Sequence, residues 1–138
     1  MTEKNILVVY YSSRTENTHR FVQKLGLGNI CRLEKGAESP LLDEKFILIC
    51  PSYGGGAVKG SIPPEVYALL NVKGNREKLI GVIGSGNTNF GTMYCHSAKM
   101  ISEKCNVPLL YKFELMGSIT DVNNIKRGVE SLGNNQQF

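Results

Sequence analysis

The stretch Ile6-Leu7-Val8-Val9-Tyr10-Tyr11, running straight into Ser12-Ser13-Arg14-Thr15-Glu16-Asn17-Thr18, decides how this chain folds. Six apolar or aromatic residues in unbroken succession suit a strand covered on both faces, as in a parallel sheet. The next seven are rich in hydroxyls, and His19 to Leu25 then shows the spacing of an amphipathic helix. A buried strand thus empties into a polar loop that opens a helix. The first turn of a helix leaves backbone N–H groups unpaired and bears the positive end of the helix dipole. Ser12, Ser13, Thr15, Asn17 and Thr18 around those donors, with Arg14 as the loop's one cation, make a socket for a phosphate group. The loop has no Gly-Lys-Thr ending, which a triphosphate with magnesium would need. A terminal monophosphate held by neutral donors fits better.

Working outward, strands are expected at Asn5–Tyr11, Ile30–Leu33, Phe46–Cys50, Leu79–Gly84 and Leu109–Leu115. The last alternates, with Leu109, Tyr111, Phe113 and Leu115 on one side and Lys112 and Glu114 on the other, which predicts a strand near a sheet edge. Helices fall between the strands. Asn17 or Thr18 should cap the first. Pro63-Pro64 opens a second, which carries Val66, Leu69 and Leu70 and ends by Gly74. A third aligns Tyr94, Ala98, Ile101 and Cys105 on one face, and a fourth starts at Thr120-Asp121 with Val122, Ile125, Val129 and Leu132. The tail from Gly133 to Phe138 is expected to fray.

Alternating strands and helices imply an α/β fold, a parallel sheet with right-handed crossovers and helices on both faces. The ten residues from Glu34 to Asp43 include Pro40 and are short for a helix plus two turns, so the helix between the second and third strands is expected to be absent. A length of 138 residues suits a single domain with one real core.

Composition narrows the function classes. Hydrophobic content of 41% and charged content of 20% are ordinary for a globular protein. No apolar run approaches the ~20 residues of a membrane helix. The chain passes from Met1-Thr2-Glu3-Lys4 straight into a core strand with no small-residue cleavage site, which predicts a cytoplasmic protein with no membrane association. The net charge of +4 comes from dispersed lysines and arginines not interleaved with aromatics, so it points to an anionic ligand or acidic partner and away from nucleic acid. Cys31, Cys50, Cys95 and Cys105 form no Cys-x-x-Cys pair and read as reduced thiols, with Cys50 packed at a strand end. His19 and His96 are the only histidines, and no carboxylate cluster has ligand spacing, so no metal site is expected. His19 reads as a surface or helix-start residue.

In a sheet of this kind ligands bind beyond the carboxyl ends of the strands, where the winding reverses. Three loops rich in glycine or small polar residues lie at that end. The second, Pro51-Ser52-Tyr53-Gly54-Gly55-Gly56, pairs an aromatic with glycines that permit close approach of a flat ring. A peptide bond flanked by Gly54 and Gly55 turns over cheaply and can present its carbonyl to a ring nitrogen that gains hydrogen on reduction. The third, Gly84-Ser85-Gly86-Asn87-Thr88-Asn89-Phe90-Gly91, offers amides, hydroxyls and backbone N–H groups to the polar edge of a heterocycle, with Phe90 or Tyr94 near its face. Gly84-x-Gly86 does not complete a dinucleotide fingerprint, and it follows the fourth strand. Together the loops describe a pocket for a flat, polar-edged heterocycle with a monophosphate tail. FMN is the natural candidate.

The segments SSRTENT, PSYGGG, SGNTNFG and VPLLYKFELMG (Val107–Gly117) resemble the NrdI family, flavodoxin-like proteins of class Ib ribonucleotide reductase. The likeness runs from about Ile6 to Val129. It implies a flavodoxin-like three-layer sandwich with strand order 2-1-3-4-5 and bound FMN. It also implies a role in assembling the dimanganese–tyrosyl radical centre of the reductase small subunit, NrdF, to which the metal would belong. Reduced by a flavodoxin reductase or another donor, the protein would turn dioxygen into superoxide or a related peroxide oxidant, an oxidase-like accessory role. Carried over, Ser12, Ser13, Arg14, Thr15, Asn17 and Thr18 would hold phosphate. Ser52, Tyr53, Gly54, Gly55 and Gly56 would meet the ring, with Gly54 and Gly55 responding to its redox state. Ser85, Gly86, Asn87, Asn89, Phe90 and Gly91 would line its other side. Glu16 departs from the glycine common in such first loops; phosphate binding should survive if that position does not need positive φ, with the carboxylate expected to weaken affinity somewhat.

Other readings share parts of this pattern. A general flavodoxin passing single electrons has the same fold and cofactor. A phosphoacceptor domain needs clustered aspartates at strand ends, where this chain has Tyr11 and Pro51. A low-molecular-weight phosphatase needs a cysteine in the first loop, and a flavin-free binding module would purify colourless.

Overall fold

The computed structural model describes residues 6–12, 16–34, 38–52, 62–86 and 95–138. The elements are β1 (Leu7–Tyr11), α1 (Asn17–Leu25), β2 (Ile30–Leu33), β3 (Phe46–Pro51), α2 (Pro64–Asn71), α3 (Lys73–Arg76), β4 (Leu79–Gly86), α4 (His96–Cys105), β5 (Leu109–Glu114) and α5 (Ile119–Gly133). All four strand pairings are parallel, and the sheet order is β2-β1-β3-β4-β5. This is the flavodoxin-like α/β arrangement that the resemblance implies. Among the described residues between β2 and β3, none is helical.

The central strands read as apolar throughout because both faces are covered. Every residue of β1 and β3 is buried. Val8, Tyr10, Ile47, Ile49 and Ile83 pack with Phe21, Val22 and Leu25 of α1 and with Ile125 and Val129 of α5. On the opposite face Leu7, Val9, Leu48, Cys50 and Val82 meet Val66, Leu69 and Leu70 of α2 and Ala98 and Ile101 of α4. Each large side chain buried this fully stabilises the fold by roughly 1.5–3 kcal/mol before entropic losses. Phe21 also stacks on Phe113 with centroids 3.9 Å apart, joining α1 to the β5 edge.

Several local expectations need correction. The second helix ends before Gly74, at Asn71, but Gly74 is not its stop: the chain turns extended at Val72, and Gly74 sits inside the one-turn α3. Asn75 closes that corner, its side chain bonding the Pro40 and Leu69 carbonyls and the Leu42 N–H. The alternation along β5 breaks at its start. Pairing shifts from Val82↔Leu109 to Ile83↔Tyr111, so Leu110 is an extra residue opposite β4. Such a bulge flips the side-chain sequence. Leu109 accordingly joins the α2/α4 side, while Leu110, Tyr111 and Phe113 face α1 and α5. Leu115 is not on the buried side but 47% exposed, in a turn with positive φ. At the chain end Phe138 comes back onto α5, where a Cβ on Gly128 would lie 2.5 Å from its ring.

Candidate functional site

β1, β3 and β4 are neighbours, so their carboxyl ends stand side by side. The backbone N–H of Ser52, just past β3, donates to the Ser85 carbonyl at 2.9 Å. The Thr18 and Ser85 hydroxyls are 3.3 Å apart, tying the start of α1 to the end of β4. Leu115 N–H donates to the Gly86 carbonyl, which brings the turn after β5 to the same rim. Ser12, Thr18, Ser85 and Ser97 form a set of buried hydroxyls beside an apolar core. Buried polar groups persist only where they are hydrogen-bonded, so each bond here has a structural use.

The start of α1 is built unusually. Glu16 is the cap residue, not Asn17 or Thr18, and it adopts φ 62° in the left-handed region. Its side chain makes no capping bond. The position therefore does take up the positive φ that glycine favours. Ser12 substitutes for the missing cap: its Oγ accepts the His19 N–H at 3.1 Å. Arg20 N–H donates to the Glu16 carbonyl, the first bond within the helix. The Asn17 and Thr18 amides have no acceptor among the described residues, and the first turn carries no acid. Positive helix ends of this kind are suited to an anion.

His19 is more than a surface residue. Its Nδ1 lies 2.7 Å from the Tyr10 hydroxyl, and the two rings stack. A chain of contacts thus runs from Tyr10 through His19 to Ser12.

α4 starts by the same device. Cys95 precedes it with φ 56° and no side-chain cap. Ser52 Oγ accepts the Ser97 N–H at 2.9 Å, and Ser97 Oγ donates to the Pro51 carbonyl at 2.9 Å. The Ser52 hydroxyl, a predicted ring contact, is thereby engaged with α4, and its remaining proton can go to Ser97 Oγ at 2.8 Å. Nothing in the sequence marks Ser97, because a serine inside a helix gives no hint of a partner 45 positions away. Gly84 is needed for this packing. A Cβ there would lie 2.8 Å from Ala98 Cβ and 3.0 Å from Cys95 Cβ.

Burial pushes the Cys50 thiol up to about 12, against a lowering hydrogen bond with Ser97. A thiol so buried stays protonated and inert. No disulfide joins the four cysteines, and Cys95 is buried beside Gly84. Among the described residues there is no group of three His, Cys, Asp or Glu able to hold a metal ion. None of their helices is long and apolar enough to cross a membrane.

Of the residues singled out in the sequence, Ser12, Asn17, Thr18, Ser52, Ser85 and Gly86 gather at this one rim. Ser13, Arg14, Thr15, Tyr53, Gly54, Gly55, Gly56, Asn87, Asn89, Phe90 and Gly91 lie outside the described residues.

The fold is similar to that of oxidised Flavodoxin 2 from Bacillus cereus, with a TM-score of 0.61 and 20% identity over 90% of this chain and 94% of that one. In sequence the chain is 49% identical to Protein NrdI of Pectobacterium carotovorum subsp. carotovorum (strain PC1), covering 88% of this chain and 91% of the relative. It is also 49% identical to Protein NrdI of Agrobacterium fabrum (strain C58), covering 90% and 95%. The family model described as "NrdI Flavodoxin like" matches residues 9–127, and the chain belongs to that family.

Proposed function

We propose that this protein binds FMN at the carboxyl rim of its sheet and works in the cytoplasm as an oxidant supplier. In its reduced form it would deliver superoxide or peroxide, made from dioxygen, to the class Ib ribonucleotide reductase small subunit, NrdF. There the oxidant would serve assembly of the dimanganese–tyrosyl radical centre. Family and fold imply a flavin-dependent redox protein. The observation that supports a flavin site at this rim is the set of bonds among Thr18, Ser52 and Ser85, which ties the start of α1 and the ends of β3 and β4 to one another; the oxidant-supplying role is argued from the family.

The residues present fit a flavin phosphate. Ser12 and Thr18 keep hydroxyls at the mouth of α1, where two amides and the helix dipole favour an anion. Ser13, Arg14, Thr15 and Asn17 would complete that socket. Tyr53, Gly54, Gly55 and Gly56 would meet the ring from one side, and Gly86, Asn87, Asn89, Phe90 and Gly91 from the other. Gly54 and Gly55 would turn a backbone carbonyl or N–H toward the ring according to its protonation. When bound and reduced, the flavin supplies the electrons that dioxygen accepts. The overall charge of +4 favours an anionic reduced flavin and should hold its two one-electron potentials close together.

The test starts from the protein reconstituted with FMN and reduced without air by a flavodoxin reductase or dithionite. Air is then admitted with and without manganese-loaded small subunit. Rapid reoxidation, with a tyrosyl radical formed only when all components are present, is the expected result. Failure to take up FMN would sink the reading at its root. Uptake and reduction without radical formation would leave a general one-electron carrier.

A further inference from the structure

Glu16 poses a problem at the phosphate socket. A carboxylate on the cap residue of a helix is normally drawn to the first-turn N–H groups and to the positive end of the dipole. Left to itself it would occupy the Asn17 and Thr18 amides, the donors an incoming phosphate needs. In the structure it does not: Glu16 makes no capping bond, and its Oε2 lies 2.5 Å from Arg32 Nη2. Arg32 is on β2, directly opposite Tyr10 of β1. Tyr10 in turn holds His19, and His19 offers its N–H to Ser12. The guanidinium is therefore mounted on the framework that shapes the socket.

The pair is partly exposed, with side-chain exposures of 27% for Arg32 and 39% for Glu16. Pairs of that kind add little to stability, so its value lies in where it holds the carboxylate. Desolvation pulls the Arg32 pKa down, but the hydrogen bond and charge of Glu16, together with the charges of Tyr10 and Glu34, outweigh it and leave it raised. The left-handed backbone at Glu16 matters for the same reason, since it fixes where the side chain leaves the helix.

We infer that Arg32 is a positioning residue for cofactor affinity, holding the Glu16 carboxylate off the mouth of α1 so that the first-turn amides stay open to a phosphate. This rests on the flavin reading above. Glu16 is then a built-in competitor for the site, and Arg32 keeps it disengaged.

The experiment is a titration of the flavin-free protein with FMN and, separately, riboflavin, read by quenching of flavin fluorescence at low and at raised salt. Riboflavin lacks the phosphate and reports the ring site alone. Arg32→Ala should weaken FMN binding by about tenfold while leaving riboflavin binding within about twofold. Arg32→Lys, which keeps a cation for Glu16, should restore most of the loss. Glu16→Gln alone should bind FMN no more weakly than the wild type. In the Glu16→Gln background, Arg32→Ala should cost at most about twofold to threefold, because the competing charge is gone. Equal losses in both backgrounds would show that Arg32 acts only as a distant attractive charge, and would overturn the inference. So would a parallel loss of riboflavin binding, or a tenfold loss with Glu16→Gln alone, which needs no variant of Arg32 to fold. Absence of FMN binding by the wild-type protein would overturn the functional reading together with this one, and is seen in the first titration.

Discussion

Two helices on the same face of the sheet begin in opposite ways. α5 starts closed. Ser118 is its cap in extended conformation, its Oγ accepts the Asp121 N–H at 3.1 Å, and Asp121 Oδ2 accepts the Ser118 N–H at 2.8 Å. The carboxylate of Asp121 also meets the helix dipole and receives the Tyr111 hydroxyl at 2.7 Å. α1 starts open. Its cap residue is left-handed, the Glu16 carboxylate is turned aside to Arg32, and its cap hydroxyl comes from Ser12, just past β1. One helix end uses its own side chains to satisfy its donors. The other is arranged so that an outside anion can do so.

The contrast breaks most visibly at α1. Replacing Ser12 by Ala and Thr18 by Val removes two hydroxyls from the socket. Each should weaken FMN binding by about tenfold, and the pair by up to about a hundredfold, given the strength of hydrogen bonds to charged groups. Riboflavin binding should change far less, and fluorescence titration with both flavins reads the difference. Equal losses for both flavins would mean that the hydroxyls only support the loop.

Much of this architecture is legible in the chain itself. The apolar runs of β1, β3 and β4 mark strands covered on both faces, and the polar clusters that follow them mark the rim. What stays hidden depends on neighbours distant in sequence. Ile30-Cys31-Arg32-Leu33 reads as a plain short strand, and nothing in it says that Arg32 will stand beside Glu16. That meeting follows from β2 lying next to β1, an order supplied by the family resemblance and not by periodicity. The bulge at Leu110 adds one residue without any compositional mark. Ser97 looks like a surface serine until α4 is laid against β3. The start of α5 is different: Ser118-x-x-Asp121 carries the capping-box signal, and a start at Thr120-Asp121 overlooks it.

At the closed end the effect is one of stability alone. Ser118→Ala should lower the unfolding free energy by about 1 kcal/mol, the usual loss for a cap hydroxyl. Urea denaturation measures it directly, with an unchanged slope if the unfolded state is unaffected. FMN affinity should stay within about twofold of wild type, because the two helix starts serve separate purposes. A tenfold drop in affinity with Ser118→Ala would erase the distinction between them.

The smallest effect concerns how Asp121 responds to acid. Desolvation works to raise its pKa, yet the Ser118 backbone N–H, the Tyr111 hydroxyl and the Ser118 hydroxyl together hold it below its ordinary 3.8. A carboxyl depressed in the folded state contributes stability that is fully present above the unfolded value. That contribution is lost as the pH falls through the folded value. Asp121→Asn lacks the charge, so the gap in urea midpoint between wild type and variant should be constant near neutrality and shrink below about pH 4. Ser118→Ala removes one of the bonds that depress the pKa, so its own gap to wild type should narrow over the same range. Glu16 provides the control from the open end. Its carboxylate answers to Arg32 instead of to a helix start, so Glu16→Gln should leave the acid-induced narrowing at Asp121 intact. If Glu16→Gln abolished that narrowing, the acid response would belong to α1, and α5 would lose its standing as the self-contained end.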